Sequence, residues 1–172
     1  LITCVDSPRL RHCFDMGHWN MFKKVGLEEW FAQLGSYIAE VHIHDNRGTR
    51  DDHGPIGAGT IDFPLFFRLM RQYAPDAVHT IEAHSRCNCR CGMCDIWRTP
   101  DNRSFTPSQL ISQLKSLDRL GTKHVVFTGG EPLMSGYTWR LIDWFAANQG
   151  RSQTRLAINS NLGMESQRVQ AL

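Results

Sequence analysis

Five short apolar runs, separated by stretches of helical periodicity, constrain this chain more than any other feature. RHCFD (11–15), AEVHIHD (39–45), AVHTIEAH (77–84), HVVFTG (124–129) and RLAINS (155–160) carry the Val, Ile and Phe that suit a pleated strand. Between them, LEEWFAQLG sets Leu27, Trp30, Phe31 and Leu34 on one helical face before Gly35. DFPLFFRLM groups Phe66, Leu69 and Met70, with Asp62 and Pro64 near its start. The clearest helix is TPSQLISQLKSLDRLG. Thr106 suits the N-cap, Pro107 the first helical position, and Gln109 completes a capping box. Leu110, Leu114, Leu117 and Leu120 then line one face and Gly121 ends it. Strand and helix alternating in this way imply an α/β fold, a parallel sheet with helices packed on it. In such folds the chemistry sits at the C-terminal ends of the strands.

Composition narrows the function classes. With 41% hydrophobic and 21% charged residues, the 172-residue chain reads as a soluble globular protein able to bury a core. A net charge of +2, with acids and bases interspersed, offers no patch for nucleic acid. No apolar run reaches the roughly 20 residues of a membrane span, and no secretory signal is visible. The chain opens LITCVDSPRL without an initiator Met and stops at QRVQAL in a helix-like pattern, so we expect a piece of a longer polypeptide. Of six cysteines, four crowd into residues 87–94, which favours metal ligation in a reducing cytoplasm over cross-linking.

The first three strands end in groups that bind metals. "CFDMGHWN" sets Asp15 and His18 across Gly17, and "VHIHDN" puts His42 and His44 on the same side of a strand. The loop "RGTRDDHGPIGAGTIDF" holds Asp51 and His53, and the third strand ends at Glu82. Carboxylates and imidazoles on successive strand ends can converge on one divalent ion, with Zn²⁺ or Mn²⁺ suited to mixed N and O ligands. Each residue taken singly has a plainer role, the Asp as a helix cap or the His as a partner for a loop carbonyl. The order FDMGH … VHIHDN … D-H-x-P-I-G-x-G-T-I-D-F … IEAH resembles the C-terminal part of xylose-isomerase-like TIM barrels. That superfamily includes sugar isomerases and epimerases, metal-dependent AP endonucleases and some phosphodiesterases. Over residues 10–84 the resemblance implies metal contact by Asp15, His42 and Glu82, with Glu82 also able to act as a catalytic base. His18, Asp51 and His53 match the extra ligands of the multi-zinc members. His44 matches no ligand and is read as structural. The match spans the last three strands of an eight-stranded barrel.

The second half opens with "RCNCRCGMCDIW", where Cys87, Cys91 and Cys94 are spaced C-x₃-C-x₂-C. Three thiolates from one loop can hold three irons of a cubane cluster and leave the fourth free. A structural Cys₃His zinc site completed by His84 and a loop of free thiols are the other readings. The loop strongly resembles that of radical S-adenosylmethionine (SAM) enzymes, which implies a [4Fe–4S] cluster on Cys87, Cys91 and Cys94 with SAM on the unique iron. Cys89 falls at a variable position. Downstream, Gly129, Gly130, Glu131 and Pro132 match the motif that binds the methionine end of SAM, where bare backbone can approach the cofactor. Ser160 and Asn161, at the end of "RLAINSNLG", resemble cofactor or substrate contacts. This resemblance covers residues 79–172, the first three strands of a six-stranded partial barrel.

The two resemblances divide the chain into 1–84 and 85–172, both built of parallel βα units, and imply a partial TIM-barrel-like sheet of about five strands. The leading expectation is a radical SAM enzyme segment that cleaves SAM reductively and abstracts hydrogen from a small-molecule or peptide substrate. Its electron donor would be a flavodoxin or ferredoxin, with no nucleic-acid or membrane partner. The alternatives are a divalent-metal isomerase, epimerase or phosphodiesterase, and a non-catalytic metal-binding fragment. The strand 77–84 serves both resemblances.

Overall fold

The computed structural model describes residues 2–5, 7–84, 106–119, 121–148, 150 and 153–160; for Thr3, Glu82, Ala83 and His84 it describes the backbone alone. After a short helix α1 (Ile2–Val5), strands and helices alternate as expected: β1 (His12–Asp15), α2 (Met16–Phe22), α3 (Leu27–Leu34), β2 (Ile38–Ile43), α4 (Phe63–Tyr73), β3 (Val78–His84), α5 (Pro107–Arg119), β4 (His124–Gly129), α6 (Gly136–Asn148) and β5 (Arg155–Ile158). The strands form one sheet in the order β1-β2-β3-β4-β5, and every pairing is parallel. Sequential order with a helix in each crossover is the wall of a TIM-type barrel. β3 pairs with β2 on one edge and with β4 on the other, so the sheet runs unbroken through the strand that both resemblances share.

Alternation along the strands sorts the side chains onto two faces. Phe14, Val41, Ile43, Ile81, Val125 and Phe127 are buried in one core with Phe31, Phe66 and Met70 of α3 and α4 and with Leu110, Leu114, Leu117 and Leu141 of α5 and α6. Cys13, Asp15, Glu40, His42, Thr80, Val126 and Thr128 alternate with those positions and take the other face. Local signals agree with this packing. Asp62 caps α4 by accepting from the Leu65 N–H at 2.9 Å. The α5 capping box forms as read, with the Gln109 N–H 3.3 Å from Thr106 Oγ1 and the Thr106 N–H 2.9 Å from Gln109 Oε1. Gly121 follows with φ +77°, a left-handed residue that suits glycine. Leu120 lies outside the described residues.

Two helices carry weak sequence signals. α2 starts directly after β1 and runs only seven residues, with Gly17 and Asn20 in its interior. α6 has no acidic residue in its first turn and no basic one in its last.

Candidate metal centre and cofactor loop

Parallel register brings the first-half residues together. Asp15 ends β1 directly opposite His42 on β2, and their side chains approach to 3.8 Å at Oδ2 and Nδ1. Asp15 also accepts from the His18 backbone N–H at 2.8 Å and so caps α2, which turns the His18 ring back over the carboxylate, Nδ1 to Oδ2 3.1 Å. The plain role and the ligand role of Asp15 coincide. His44, fully buried, sets Nε2 3.1 Å from Asp15 Oδ1. Its ring occupies the space above Gly17, where a Cβ would overlap it. That contact fixes glycine at this position.

The loop after β2 supplies the remaining groups. Asp51 Oδ2 lies 3.1 Å from His18 Nε2 and 2.9 Å from His53 Nε2, and the His53 ring stacks face to face on His44 with centroids 3.9 Å apart. One ligand atom from each of His18, Asp51 and His53 lies within 4.8 Å of the others. Two imidazoles and a carboxylate in that volume fit a divalent ion of the Zn²⁺ or Mn²⁺ class. Among the described residues, the buried His44 Nδ1 has no hydrogen-bond partner, and it faces Asp51 Oδ1 at 3.8 Å.

Electrostatics matches the geometry. Burial alone would raise the Asp15 carboxyl. The His44 hydrogen bond, the His18 N–H and the charges of both histidines outweigh it and hold Asp15 below the usual carboxylate value. Asp51 behaves alike: burial pushes it up, and the charge and hydrogen bond of His53, with help from His18 and His44, bring it below normal. Both carboxylates are therefore ionised at neutral pH.

The side chains that hold the loop in place were not apparent in the sequence. Asp45, buried, accepts from the N–H groups of Gly57 and Gly59 at 3.0 and 2.8 Å, while its own backbone exchanges two 2.8 Å hydrogen bonds with Gly54. Asn46 donates to the Gly17 carbonyl at 2.8 Å and accepts from Asn20 at 2.8 Å. Together they tie the loop bearing Asp51 and His53 to α2, which bears His18. The only trace in the sequence is the "HDN" that follows the strand.

Glu82 stands beside Thr128 of β4, two residues before the end of β3. Its side chain, the cluster cysteines Cys87, Cys91 and Cys94, and Asn161 lie outside the described residues. Gly129 closes β4 at φ +131°, a conformation that L side chains rarely adopt, so the turn that follows depends on glycine. Glu131 is buried, and its Oε1 accepts from the Leu133 N–H at 3.0 Å and from the Ser160 hydroxyl at 2.6 Å. Pro132 begins the short 3₁₀ turn that Glu131 caps. The second-half loop and the end of β5 are thus joined through one carboxylate. That donor and acceptor set, with bare backbone at Gly129, suits the polar end of an amino-acid cofactor.

On the sheet face opposite the helices, a cavity of about 270 Å³ is lined by Glu40, His42, Thr80, Thr128, Gly129 and Asn159. It draws on strands of both halves.

Comparison with known proteins decides the family. Residues 1–103 match the xylose isomerase-like TIM barrel family, and residues 81–172 match the radical SAM superfamily. The chain belongs to both families. The two matches overlap over residues 81–103, the segment that begins in β3 and runs through the cysteine loop. Among curated relatives, a GTP 3′,8-cyclase from Mycobacterium marinum is 33% identical over 105 residues, 58% of this chain and 28% of that protein. A 7-carboxy-7-deazaguanine synthase from Halobacterium salinarum is 36% identical over 66 residues, 37% of this chain and 25% of that protein. An uncharacterized Methanocaldococcus jannaschii protein is 34% identical over 83 residues, 48% of this chain and 28% of that protein. The chain therefore spans about a quarter of the length of these relatives. No solved structure matches. Among the described residues, no helix is long and apolar enough to cross a membrane.

Proposed function

We propose that the chain is the catalytic-core segment of a radical SAM enzyme, with Cys87, Cys91 and Cys94 holding a [4Fe–4S] cluster and Gly129, Gly130, Glu131, Pro132, Ser160 and Asn161 holding SAM. The match to the radical SAM superfamily over 81–172, which contains both motifs, carries this reading. When bound, the cluster and SAM supply a 5′-deoxyadenosyl radical able to abstract hydrogen from a substrate. The work of the chain is to bind and orient. Gly129 keeps its backbone bare for the methionine end of SAM, and the glycine carbonyls accept from the SAM ammonium. Glu131 braces the end of β5 through Ser160, which keeps the two sides of the cofactor seat in register. A flavodoxin or ferredoxin supplies the electron, and a reducing cytoplasm suits the thiolates.

The test is anaerobic reconstitution with iron and sulfide. The chain should acquire a broad brown charge-transfer absorption that vanishes in Cys87→Ala, Cys91→Ala and Cys94→Ala, while Cys89→Ala keeps it. Tight zinc binding without iron colour would overturn the assignment.

A second reading rests on a specific observation, the convergence of Asp15, His18, Asp51 and His53 within hydrogen-bonding distance. In it these residues, with His42 and Glu82, hold Zn²⁺ or Mn²⁺ for isomerase, epimerase or phosphodiester chemistry, with Glu82 as base. Metal analysis of an Asp15→Ala, His42→Ala double variant tests it, and unchanged zinc or manganese content would end it.

A further inference from the structure

Two side chains that belong to neither site reading meet His42 on the cavity face of the sheet. Cys13 of β1 stands directly opposite Glu40 of β2 in the parallel register, one step below the Asp15 and His42 pair. One ligand atom from each of Cys13, Glu40 and His42 lies within 4.8 Å of the others. The two nitrogens of His42 face different neighbours, Nδ1 toward Asp15 Oδ2 at 3.8 Å and Nε2 toward Glu40 Oε1 at 3.5 Å. We propose that Cys13, Glu40 and the Nε2 of His42 form a separate site for a borderline-soft divalent ion of the Zn²⁺ class, with its open coordination position turned to the cavity between the two halves of the sheet.

Ligand chemistry supports the choice of ion. A thiolate, an imidazole and a carboxylate together select Zn²⁺ or Co²⁺ over the hard Mg²⁺ or Ca²⁺. Around a tetrahedral ion such donors stand roughly 3.5 Å apart, so side-chain rotations that draw the three together by about an ångström complete the site. All three sit on strands rather than loops, which fixes their Cα positions.

The surroundings are those of a ligand set. Metal-bound histidines and carboxylates are commonly oriented by an outer hydrogen-bonding partner. The Thr80 hydroxyl donates to Glu40 Oε1 at 2.6 Å, and Asp15 Oδ2 faces the far nitrogen of His42 at 3.8 Å, an ion-pair rather than a hydrogen-bond distance. Three protein ligands with a vacant position distinguish reactive zinc sites from closed structural ones. Here that position opens onto the roughly 270 Å³ cavity lined by Thr80, Thr128, Gly129 and Asn159. A small molecule bearing an oxygen or sulfur donor is the class of ligand that fits, bound to the ion at one end and to the hydroxyl and amide groups of β3 to β5 at the other.

The site makes a claim apart from the cluster and from the strand-end ligands, and its test reads Cys13 itself. Alkylation of the intact 172-residue chain, mapped by peptide mass, follows Cys13 separately from the other cysteines. Zn²⁺ in several-fold molar excess, enough to fill the cysteine loop and the strand-end ligands as well, should slow labelling of Cys13 by at least about tenfold and leave the exposed Cys4 unaffected. Glu40→Ala and His42→Ala should each remove the protection, whereas His18→Ala should keep it. Equal labelling with and without zinc, or protection that survives both Glu40→Ala and His42→Ala, overturns the proposal. Should those variants fail to fold, a chain whose other five cysteines are Ser decides the matter with Co²⁺. A thiolate-to-cobalt charge-transfer band supports the site. Its absence in a chain with native far-ultraviolet circular dichroism overturns it.

Discussion

The two halves of one sheet prepare their strand ends in opposite ways. In the first half, Asp15 and Asp51 share a dense set of contacts with His18, His44 and His53, and a buried Asp45 and Asn46 hold the loop that delivers two of those groups. In the second half, a single buried carboxylate, Glu131, braces a glycine turn against β5. On the two proposed readings, the difference follows from the ligands. A small divalent ion requires several side chains at fixed distances, so the chain spends many contacts on placing them. A cofactor that brings its own donors and acceptors requires bare backbone and one well-held polar group. The same parallel strands serve both.

The two ends of the one core differ as well, and their comparison carries the largest expected effect. The first-half end is aromatic, with Phe14, Phe31 and Phe66 packed at centroid distances of 5.5 to 6.3 Å. The second is built on Leu110, Leu114, Leu117 and Leu141. Phe66→Ala should cost about 3–5 kcal/mol and Leu117→Ala about 2–5 kcal/mol in chemical denaturation. Because the sheet is continuous through β3, both should shift one shared transition. Two separate transitions, each moved by one variant alone, would show that the halves fold independently.

Acid should weaken the seam between the halves. His79 on β3 is buried against Phe67, with Nδ1 3.1 Å from the Ala77 carbonyl. Burial lowers it from 6.5 to about 4. As the pH falls, the unfolded chain takes up this proton before the folded one does. The stabilisation is therefore complete above the unfolded value of 6.5 and is lost as pH falls toward about 4. The loss amounts to about 3 kcal/mol over that window. The denaturant midpoint of the wild type should fall relative to that of His79→Leu as the pH is lowered from 6.5 toward about 4. Parallel curves would show that His79 titrates normally.

The next contrast sets Gly17→Ala against Glu131→Gln. A Cβ at Gly17 must push the His44 ring off Asp15. We expect a cost of about 1–3 kcal/mol and a fall in divalent-metal content, with iron reconstitution unchanged. Glu131→Gln keeps the shape and one oxygen acceptor but removes the charge, so a smaller cost of about 1 kcal/mol should accompany weaker SAM binding, read by equilibrium dialysis. A variant that lowered both metal and SAM retention would show that the two strand ends are coupled through the cavity.

All five strands were legible in the sequence because apolar runs bounded by turns have few other uses, and the α5 capping box was legible to the atom. α2 was hidden: its cap is Asp15, a residue whose pattern points first to metal chemistry, and its seven residues are too few for a clear period. Motif spacing also singled out Asp15, His18, His42, Asp51 and His53 as candidates, since each lies at or just after the end of a strand. Cys13 and Glu40 carry no such mark. Residues 27 positions apart become neighbours only through the β1 to β2 register, and no local pattern encodes that register.

The smallest effect tests how each half starts its helix. α4 is capped by the charged Asp62, and α5 by the neutral box of Thr106 and Gln109. Asp62→Ala and Thr106→Ala should each cost about 1 kcal/mol. Their salt dependence should differ. A carboxylate at a helix N-terminus gains from the helix dipole, and that part is screened as ionic strength rises. A hydroxyl and an amide exchanging hydrogen bonds have no net charge to screen. In molar salt the cost of Asp62→Ala should therefore shrink toward its hydrogen-bond component while that of Thr106→Ala stays constant. If both costs respond alike, the charge of Asp62 contributes nothing at this helix end, and its cap is a hydrogen bond of the same kind as that of Thr106.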